Sequence, residues 1–251
     1  MNTLGVLLIE RIYLYLLVLL LPPTTVFGEM RSIQLPMSDN DSKKAFFISP
    51  SGNGKFPAIV YMHGGAAREQ NDPSCFREKI LDYSSMWFVV LAPLRNTVEG
   101  CCNGDDAIKE GIRVARESAK HLKSVPNVRE EKICLVGFSE GALISMWVMT
   151  EPNDFSKALI MSASTQCMNN RIQRAGSENY CSSSLIKSGK LEIVTKKVIL
   201  TLGTLEKRGH VNTANKFSEK LSTQVNILDG DHRSFLDPRK DVSSIIMDNC
   251  Y

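Results

Sequence analysis

The sequence predicts an α/β fold, a mostly parallel, doubly wound sheet with helices on both faces. Short apolar runs alternate along the chain with longer segments of helical periodicity, the pattern of parallel strands joined by crossover helices. Runs such as ICLV at 133–136 and VILTL at 198–202 are almost continuously apolar, as strands buried on both faces are. Because the 251 residues show no internal repeat, the chain suits a single domain.

The first residues are not expected to belong to this domain. An apolar run at 12–21 is followed by Pro22-Pro23 and the small-residue spacing Val26-Phe27-Gly28, which is typical of a secretory signal peptide. A membrane span needs about 20 apolar residues, roughly twice this run. We therefore expect a signal peptide at 1–28 rather than an uncleaved anchor. The single domain at 29–251 is then secreted or otherwise extracytoplasmic, with no stable membrane partner.

The remaining segments give the order of the elements. Residues 31–49 carry the apolar runs IQL and AFFI around a polar stretch, which predicts antiparallel strands at the N-terminal edge of the sheet. Further strands are predicted at 56–62, 87–93, 132–138, 157–162, 197–202 and 224–228. Helices are predicted at 76–84, 105–123, 141–149, 210–221 and 242–247.

The net charge and the spacing of the cysteines and histidines argue against some classes of partner and ligand. The formal net charge is +3 and the basic residues are scattered, so the electrostatic footprint of a nucleic-acid-binding protein is missing. We expect no nucleic-acid partner. The cysteines and histidines lack the spacing of a zinc site, so no metal and no cofactor is predicted.

The seven cysteines matter in an exported chain, because thiols tend to pair there and an odd number leaves at least one unpaired. Cys134 lies inside an apolar run and is expected to be a buried strand thiol. The other six lie in loop-like or terminal contexts: Cys75, Cys101, Cys102, Cys167, Cys181 and Cys250. Cys167 could pair with Cys181, and Cys75 with Cys101 or Cys102, but the connectivity stays open.

One serine stands between two glycines where a strand should end and a helix begin. In Gly137-Phe138-Ser139-Glu140-Gly141 the glycines leave room for a sharp turn that exposes Ser139 Oγ at the carboxyl edge of the sheet. This pattern recurs by chance, but its place between a strand and a helix makes Ser139 a candidate nucleophile. A serine that only caps the helix is the alternative interpretation.

A serine nucleophile needs a base, and the base needs an acid to orient it. His232 follows the last predicted strand, at the same edge as the serine, and is the predicted base. Residues 157–177 contain no Asp or Glu, whereas the next strand leads to Glu206, the predicted acid. Asp229 and Asp231 are close to the histidine in sequence but are expected to point elsewhere.

The turn His-Gly-Gly-Ala at 63–66 ends the strand at 56–62, again at this edge. It is similar to turns that aim backbone N–H groups at the oxyanion of a tetrahedral intermediate. Gly65 or Ala66, together with the amide of Glu140, are the predicted donors. A turn that does no more than end the strand is the alternative.

These motifs resemble those of the α/β hydrolases, and most closely the dienelactone hydrolase-like group. The resemblance covers roughly residues 56–235, through HGG at His63, GFSEG at Gly137, GTLE at Gly203 and GDH at Gly230. The resemblance implies Ser139 as the nucleophile, Glu206 as the acid and His232 as the base. Dienelactone hydrolases proper have cysteine as the nucleophile, so Ser139 points to their esterase and peptidase-like relatives. The acid of the group is usually aspartate, from which Glu206 departs.

The expected function is that of a secreted serine hydrolase that cleaves a carboxylic ester through an acyl-enzyme, on a small-molecule or peptide acyl substrate. The same scaffold could serve an exopeptidase or an acyltransferase, and a binding protein that has lost the chemistry is a further alternative. The polar segment 165–184 is expected to form the pocket rim or a lid. Its Arg171 and Arg174 could meet an acidic substrate or be merely solvated. Asn40-Asp41-Ser42 is a possible N-glycosylation site.

Overall fold

The computed structural model describes residues 28–65, 74–95, 104–163 and 179–251. Its strands are β1 (Arg31–Pro36), β2 (Ser42–Ile48), β3 (Phe56–Met62), β4 (Val89–Pro93), β5 (Val128–Phe138), β6 (Lys157–Met161), β7 (Val198–Gly203) and β8 (Val225–Leu228). Within these ranges they form one eight-stranded sheet in the order β1-β2-β4-β3-β5-β6-β7-β8. β2 is antiparallel to both β1 and β4, whereas the pairs from β4 to β8 are parallel. The predicted fold class and its antiparallel edge are confirmed.

Helices cover both faces of the sheet. They are α1 (Ser74–Ser85), α2 (Gly104–Lys123), α3 (Glu140–Met149), α4 (Ser182–Lys187), α5 (Arg208–Leu221) and α6 (Lys240–Cys250), with 3₁₀ turns at Lys190–Lys197 and Arg233–Phe235. Alternate residues of β3 enter different cores. Val60 and Met62 lie in the core that α2, α3 and α5 cover, whereas Ile59 and Tyr61 lie in the core under α1 and α6. Burial on both sides explains why the strand sequences are continuously apolar.

Helix α3 sits at the centre of the molecule. All ten of its residues are buried, as expected for a helix whose surface is apolar all round. It begins with Glu140, directly after the turn that follows β5. Because this helix is enclosed by protein, its first turn holds a fixed position relative to the carboxyl ends of β3 and β5.

The observed elements differ from the predicted ones mainly at their ends. β5 begins at Val128 rather than at residue 132, because Val128 pairs with Phe56 of β3 across a register shift. The charged residues 129–131 hide that part of the strand in the sequence. β4 begins later than predicted, because Trp87 has a φ of 68°, which interrupts the extended chain. α4 has six residues, too few to show a helical period.

The expectation that Cys134 is a free strand thiol is wrong. Cys134 of β5 and Cys250, the last residue of α6, form a disulfide with Cα atoms 5.8 Å apart. Both lie in the core under α1 and α6, so the pair ties the C-terminal helix to the middle of the sheet. Cys101, Cys102 and Cys167 lie outside the described residues, as does the side chain of Cys75, so the other predicted pairings stay predictions.

The predicted signal peptide lies outside the described part of the chain except for Gly28. Its cleavage and the domain boundary at residue 29 therefore stay predictions. Among the helices that the structure describes, none is both long and apolar enough to cross a membrane.

Candidate active site

Four polar side chains follow four neighbouring strands at the carboxyl edge of the sheet. Ser139 follows β5, Ser162 follows β6, Glu206 follows β7 and His232 follows β8. Because β5 to β8 are parallel, these strand ends meet at one rim, where ligands of open α/β sheets bind.

Ser139 occupies a sharp turn with an unusual backbone conformation. Its φ is 54° and its ψ is −113°, and its N–H donates to the Met161 carbonyl at 3.0 Å. A Cβ at Gly137 would lie 2.4 Å from the Gly141 carbonyl oxygen, and one at Gly141 would lie 2.1 Å from the Met62 carbonyl oxygen. Glycine is therefore required on both sides of the turn. The strain holds the serine hydroxyl out of the regular elements, as at many functional sites.

The three residues predicted to act together lie in one chain of hydrogen bonds. His232 Nε2 is 3.0 Å from Ser139 Oγ, and His232 Nδ1 is 2.9 Å from Glu206 Oε1. A carboxylate only accepts hydrogen bonds, so Nδ1 carries the proton of a neutral ring. Nε2 is then free to accept the Ser139 hydroxyl proton. The arrangement has the connectivity of a nucleophile, a base and an orienting acid, although the catalytic roles remain predictions.

Glu206 is held as a carboxylate. Its side chain is fully buried, and Ser162 Oγ donates to the same Oε1 that His232 contacts. Burial alone would raise the pKa of Glu206, but the hydrogen bonds from His232 and Ser162 outweigh it and hold the pKa below its usual value. Ser162 also lies 3.1 Å from His232 Nδ1 and has a φ of 50°. The sequence prediction did not identify this serine, which ends β6 where no acid is available.

The two aspartates near the histidine are engaged elsewhere. Asp229 accepts a hydrogen bond from Thr204 Oγ1 at 3.1 Å. Asp231 accepts hydrogen bonds from the backbone N–H groups of Arg233 and Ser234, each at 3.0 Å. Both carboxylates shape the loop before the 3₁₀ turn rather than contact His232, as expected from the sequence.

The glycine turn after β3 lies directly against the serine. A Cβ at Gly64 would be 3.4 Å from Ser139 Cβ, and one at Gly65 would be 2.6 Å from Glu140 Oε2. Glu140 is the first residue of α3, so its backbone N–H lies at the positive end of the helix. The structure thus brings Gly65 and Glu140 beside Ser139, and their role as oxyanion donors stays a prediction. Ala66 lies outside the described residues.

Comparison with known proteins identifies the fold. No family model matches the chain. The chain is similar to an esterase of Pyrococcus furiosus, with a TM-score of 0.65 and 14% identity, over 89% of this chain and 94% of that one. The fold is that of the α/β hydrolases. The predicted resemblance to these hydrolases is confirmed.

Two peptidases are also similar to this α/β hydrolase chain. The acylaminoacyl peptidase of Pyrococcus horikoshii has a TM-score of 0.60 and 14% identity, over 94% of this chain and 44% of that one. The uncharacterized peptidase YtmA of Bacillus subtilis is 26% identical over 108 residues, which are 43% of this chain and 41% of YtmA. The chain therefore matches less than half the length of either peptidase. Identities this low carry the fold and not the activity.

A second histidine, His210, packs against the ring of His232, the predicted base. The rings of His210 and His232 are 4.3 Å apart, and His210 Nδ1 donates to the Ala163 carbonyl at 2.9 Å. Burial, and then repulsion from His232, lowers the pKa of His210 and keeps its ring neutral. The sequence placed His210 only at the start of a helix. Three side chains each place one possible ligand atom within 4.8 Å of the others: a carboxylate oxygen of Glu206 and one ring nitrogen each of His210 and His232. This spacing could hold a divalent metal ion.

A buried arginine also lies behind the glycine turn. Arg95 follows β4, and its Nη1 is 2.6 Å from Glu140 Oε1. Its Nη2 donates to the carbonyls of His63 at 2.5 Å and Gly64 at 3.1 Å. In the sequence Arg95 is an ordinary basic residue after a strand, and nothing there indicates that it is buried.

His63 is not a second base. Its Nδ1 donates to the Gly64 carbonyl at 2.8 Å, and its ring stacks on Phe76 with centroids 5.6 Å apart. Burial, and then the charge of Arg95, lowers the pKa of His63 to about 3. The ring is neutral at physiological pH and belongs to the architecture of the glycine turn.

Proposed function

We propose that the protein is a serine hydrolase that cleaves carboxylic esters through an acyl-enzyme intermediate. The observation that carries the proposal is the continuous hydrogen-bond path from Ser139 through His232 to the buried carboxylate of Glu206. Its support is the strained turn at Ser139 and the position of the path at the ligand-binding edge of an α/β hydrolase sheet. The solved hydrolases of similar fold add to this support.

In the acylation step, Ser139 Oγ attacks the carbonyl carbon of the ester while His232 Nε2 takes the hydroxyl proton. The carbonyl oxygen becomes negative and accepts hydrogen bonds from the amide of Glu140 and of Gly65 or Ala66. His232, now protonated, is stabilised by Glu206. It gives its Nε2 proton to the departing alcohol as the bond between carbon and alcohol oxygen breaks.

In the deacylation step, a water molecule takes the place of the alcohol. His232 Nε2 accepts a proton from the water, the hydroxide oxygen attacks the acyl carbon, and the proton returns to Ser139 Oγ as the acid product leaves. Both steps require a neutral His232 as the base.

Turnover distinguishes this proposal from a binding protein that has lost the chemistry. Wild-type protein is expected to hydrolyse an activated ester such as a p-nitrophenyl acylate, and Ser139→Ala to lose at least about 10⁴-fold in kcat. Ser51→Ala, in an exposed turn, is the matched control and should match wild type. If wild type and Ser139→Ala hydrolyse the ester equally slowly, the protein has no serine hydrolase activity toward it, and the binding function gains support.

Peptide hydrolysis or acyl transfer is the second candidate, favoured by the similarity to two peptidases. The triad does not choose the acceptor or the leaving group. The test compares rates of hydrolysis for esters and amides that share one acyl group, with and without an added amine acceptor. These rates distinguish ester hydrolysis, peptide hydrolysis and acyl transfer. We expect ester hydrolysis to be the fastest reaction, and a faster amide reaction would assign the protein to the peptidases. The predicted rim at 165–184 includes Arg171 and Arg174, so esters with neutral and anionic acyl groups belong in the same panel.

We further propose that the protein acts outside the cytoplasm. The Cys134–Cys250 disulfide supports this, because such bonds persist mainly in oxidising compartments. N-terminal sequencing of the mature protein from the medium or periplasm is expected to begin near Glu29. A mature chain that retains residues 1–28 would mean an anchor or an intracellular protein.

A further inference from the structure

We propose that Arg95 and Glu140 are positioning residues that hold the two halves of the oxyanion pocket together, an inference that rests on the proposed function. One half is the glycine turn after β3 and the other is the first turn of α3. Arg95 contacts both: its Nη1 binds Glu140 Oε1 at 2.6 Å and its Nη2 binds two carbonyls of the glycine turn.

The contacts of Arg95 fix where the amides of the glycine turn point. In a trans peptide the C=O of one residue and the N–H of the next point in opposite directions. The guanidinium draws the Gly64 carbonyl toward itself at 3.1 Å, so the Gly65 N–H in the same peptide must point away from Arg95. The Gly64 N–H is fixed in the same way, because the His63 carbonyl is bound at 2.5 Å.

Glu140 links this turn to the nucleophile. Its backbone follows Ser139 directly, and its amide is the second predicted donor. Its carboxylate binds Arg95 through Oε1, while its Oε2 lies 2.6 Å from the position that a Cβ of Gly65 would occupy. The side chain of one donor residue is therefore packed against the backbone of the other. A shift of the carboxylate would change the distance between the two amides.

Burial makes this link rigid. The side chains of Arg95 and Glu140 are 4% and 6% exposed, so water cannot readily replace either partner. Charged groups in such an environment stay where their partners are, because an unpaired buried charge is strongly unfavourable. An exposed ion pair would fluctuate and could not define the width of a pocket.

The experiment compares Glu140→Gln and Arg95→Lys with a matched pair of controls. Arg116 and Glu151 form an ion pair near the opposite end of α3, so Arg116→Lys and Glu151→Gln make the same chemical changes away from the site. Each protein is titrated with a fluorophosphonate, and kcat and KM for an activated ester are expressed per labelled site. The inhibition constant of a trifluoromethyl ketone with the same acyl group is measured alongside, because its tetrahedral adduct carries the oxyanion.

We expect both pocket variants to lose roughly 10- to 100-fold in kcat with little change in KM, because displaced donors weaken only the transition state. The inhibition constant of the ketone should rise by about the same factor. The double variant should lose no more than the worse single one, since the two residues act as a unit. The controls should retain wild-type kinetics.

Three results would overturn the inference: an unchanged kcat in Arg95→Lys, a loss of kcat that the ketone constant does not follow, or additive losses in the double variant. If Glu140→Gln fails to fold, Arg95→Lys decides the question, since it keeps the buried charge. Failure of the proposed function is a separate outcome, in which wild type itself neither turns over ester nor reacts with the fluorophosphonate.

Discussion

Substituting Glu206 tests whether this carboxylate orients His232 for catalysis. In Glu206→Gln the side chain keeps its size but loses its charge. Wild-type Oε1 accepts hydrogen bonds from His232 Nδ1 at 2.9 Å and from Ser162 Oγ. The glutamine amide can instead donate to His232 Nδ1, which moves the ring proton to Nε2. A ring protonated at Nε2 cannot accept the proton of Ser139.

The size of the effect follows from these contacts. Hydrogen bonds to a charged acceptor are each worth about 1.5–3 kcal/mol, and removing the charge of Glu206 weakens or reverses the two bonds that its Oε1 accepts. The wrong tautomer of the histidine in a comparable triad costs about 10⁴-fold in kcat. We expect Glu206→Gln to reduce kcat by roughly 10³- to 10⁴-fold, equivalent to about 4–5.5 kcal/mol in the barrier.

Two assays check this expectation. Initial rates on an activated ester give kcat, and ¹⁵N NMR of the histidine rings reports which nitrogen of His232 carries the proton. Glu192→Gln, on an exposed 3₁₀ turn, is the matched control and should leave both readouts unchanged. A Glu206→Gln protein with kcat within tenfold of wild type, or with the proton still on Nδ1, would refute the assignment of Glu206 as the orienting acid.

Three further outcomes are expected. First, the pKa of His63 is lowered to about 3 in the folded protein. Below about pH 6.5 the His63 ring therefore binds a proton in the unfolded chain but stays neutral in the folded protein. The protein therefore loses stability as the pH falls, and between pH 6.5 and 5 urea unfolding should show wild type losing roughly 1.6 kcal/mol more than His63→Gln; parallel losses would contradict this. Second, Cys134→Ser opens a disulfide with a sequence separation of 116 residues and should lower the unfolding free energy by about 2–5 kcal/mol, a difference that dithiothreitol should abolish. Equal stability without reductant would mean that the bond does not form. Third, Ser162→Ala removes one of the two hydrogen bonds to Glu206 Oε1 and should reduce kcat about tenfold at unchanged KM; wild-type kinetics would show that this contact does not support the acid.

The sequence predicts the parts of this molecule that depend on the order of the elements. Apolar runs place the strands, and parallel strands bring their carboxyl ends to one edge. Ser139, Glu206 and His232 each follow a strand, so their meeting can be expected without knowing any distance. The strained turn at Ser139 can also be predicted from the sequence, because a glycine two residues before and another two residues after the serine form a local motif.

The parts that the sequence does not predict depend on which side chain is buried beside which. Arg95 and Ser162 are polar residues after strands, and only the packed structure shows that they bind the glycine turn and the acid. His210 lies on a helix whose rotation decides whether its ring meets His232. Cys134 looks like any core thiol, because its partner, Cys250, is distant in the sequence and close only after α6 packs on the sheet.

Covalent labelling tests most directly whether Ser139 is the reacting nucleophile. Folded wild-type protein is treated with a fluorophosphonate, digested, and mapped by mass spectrometry. We expect one modified peptide, with the phosphonyl group on Ser139, and no labelling of Ser139→Ala. Absence of labelling in the folded wild type, or a label on any other residue, would contradict the assignment of Ser139 as the nucleophile.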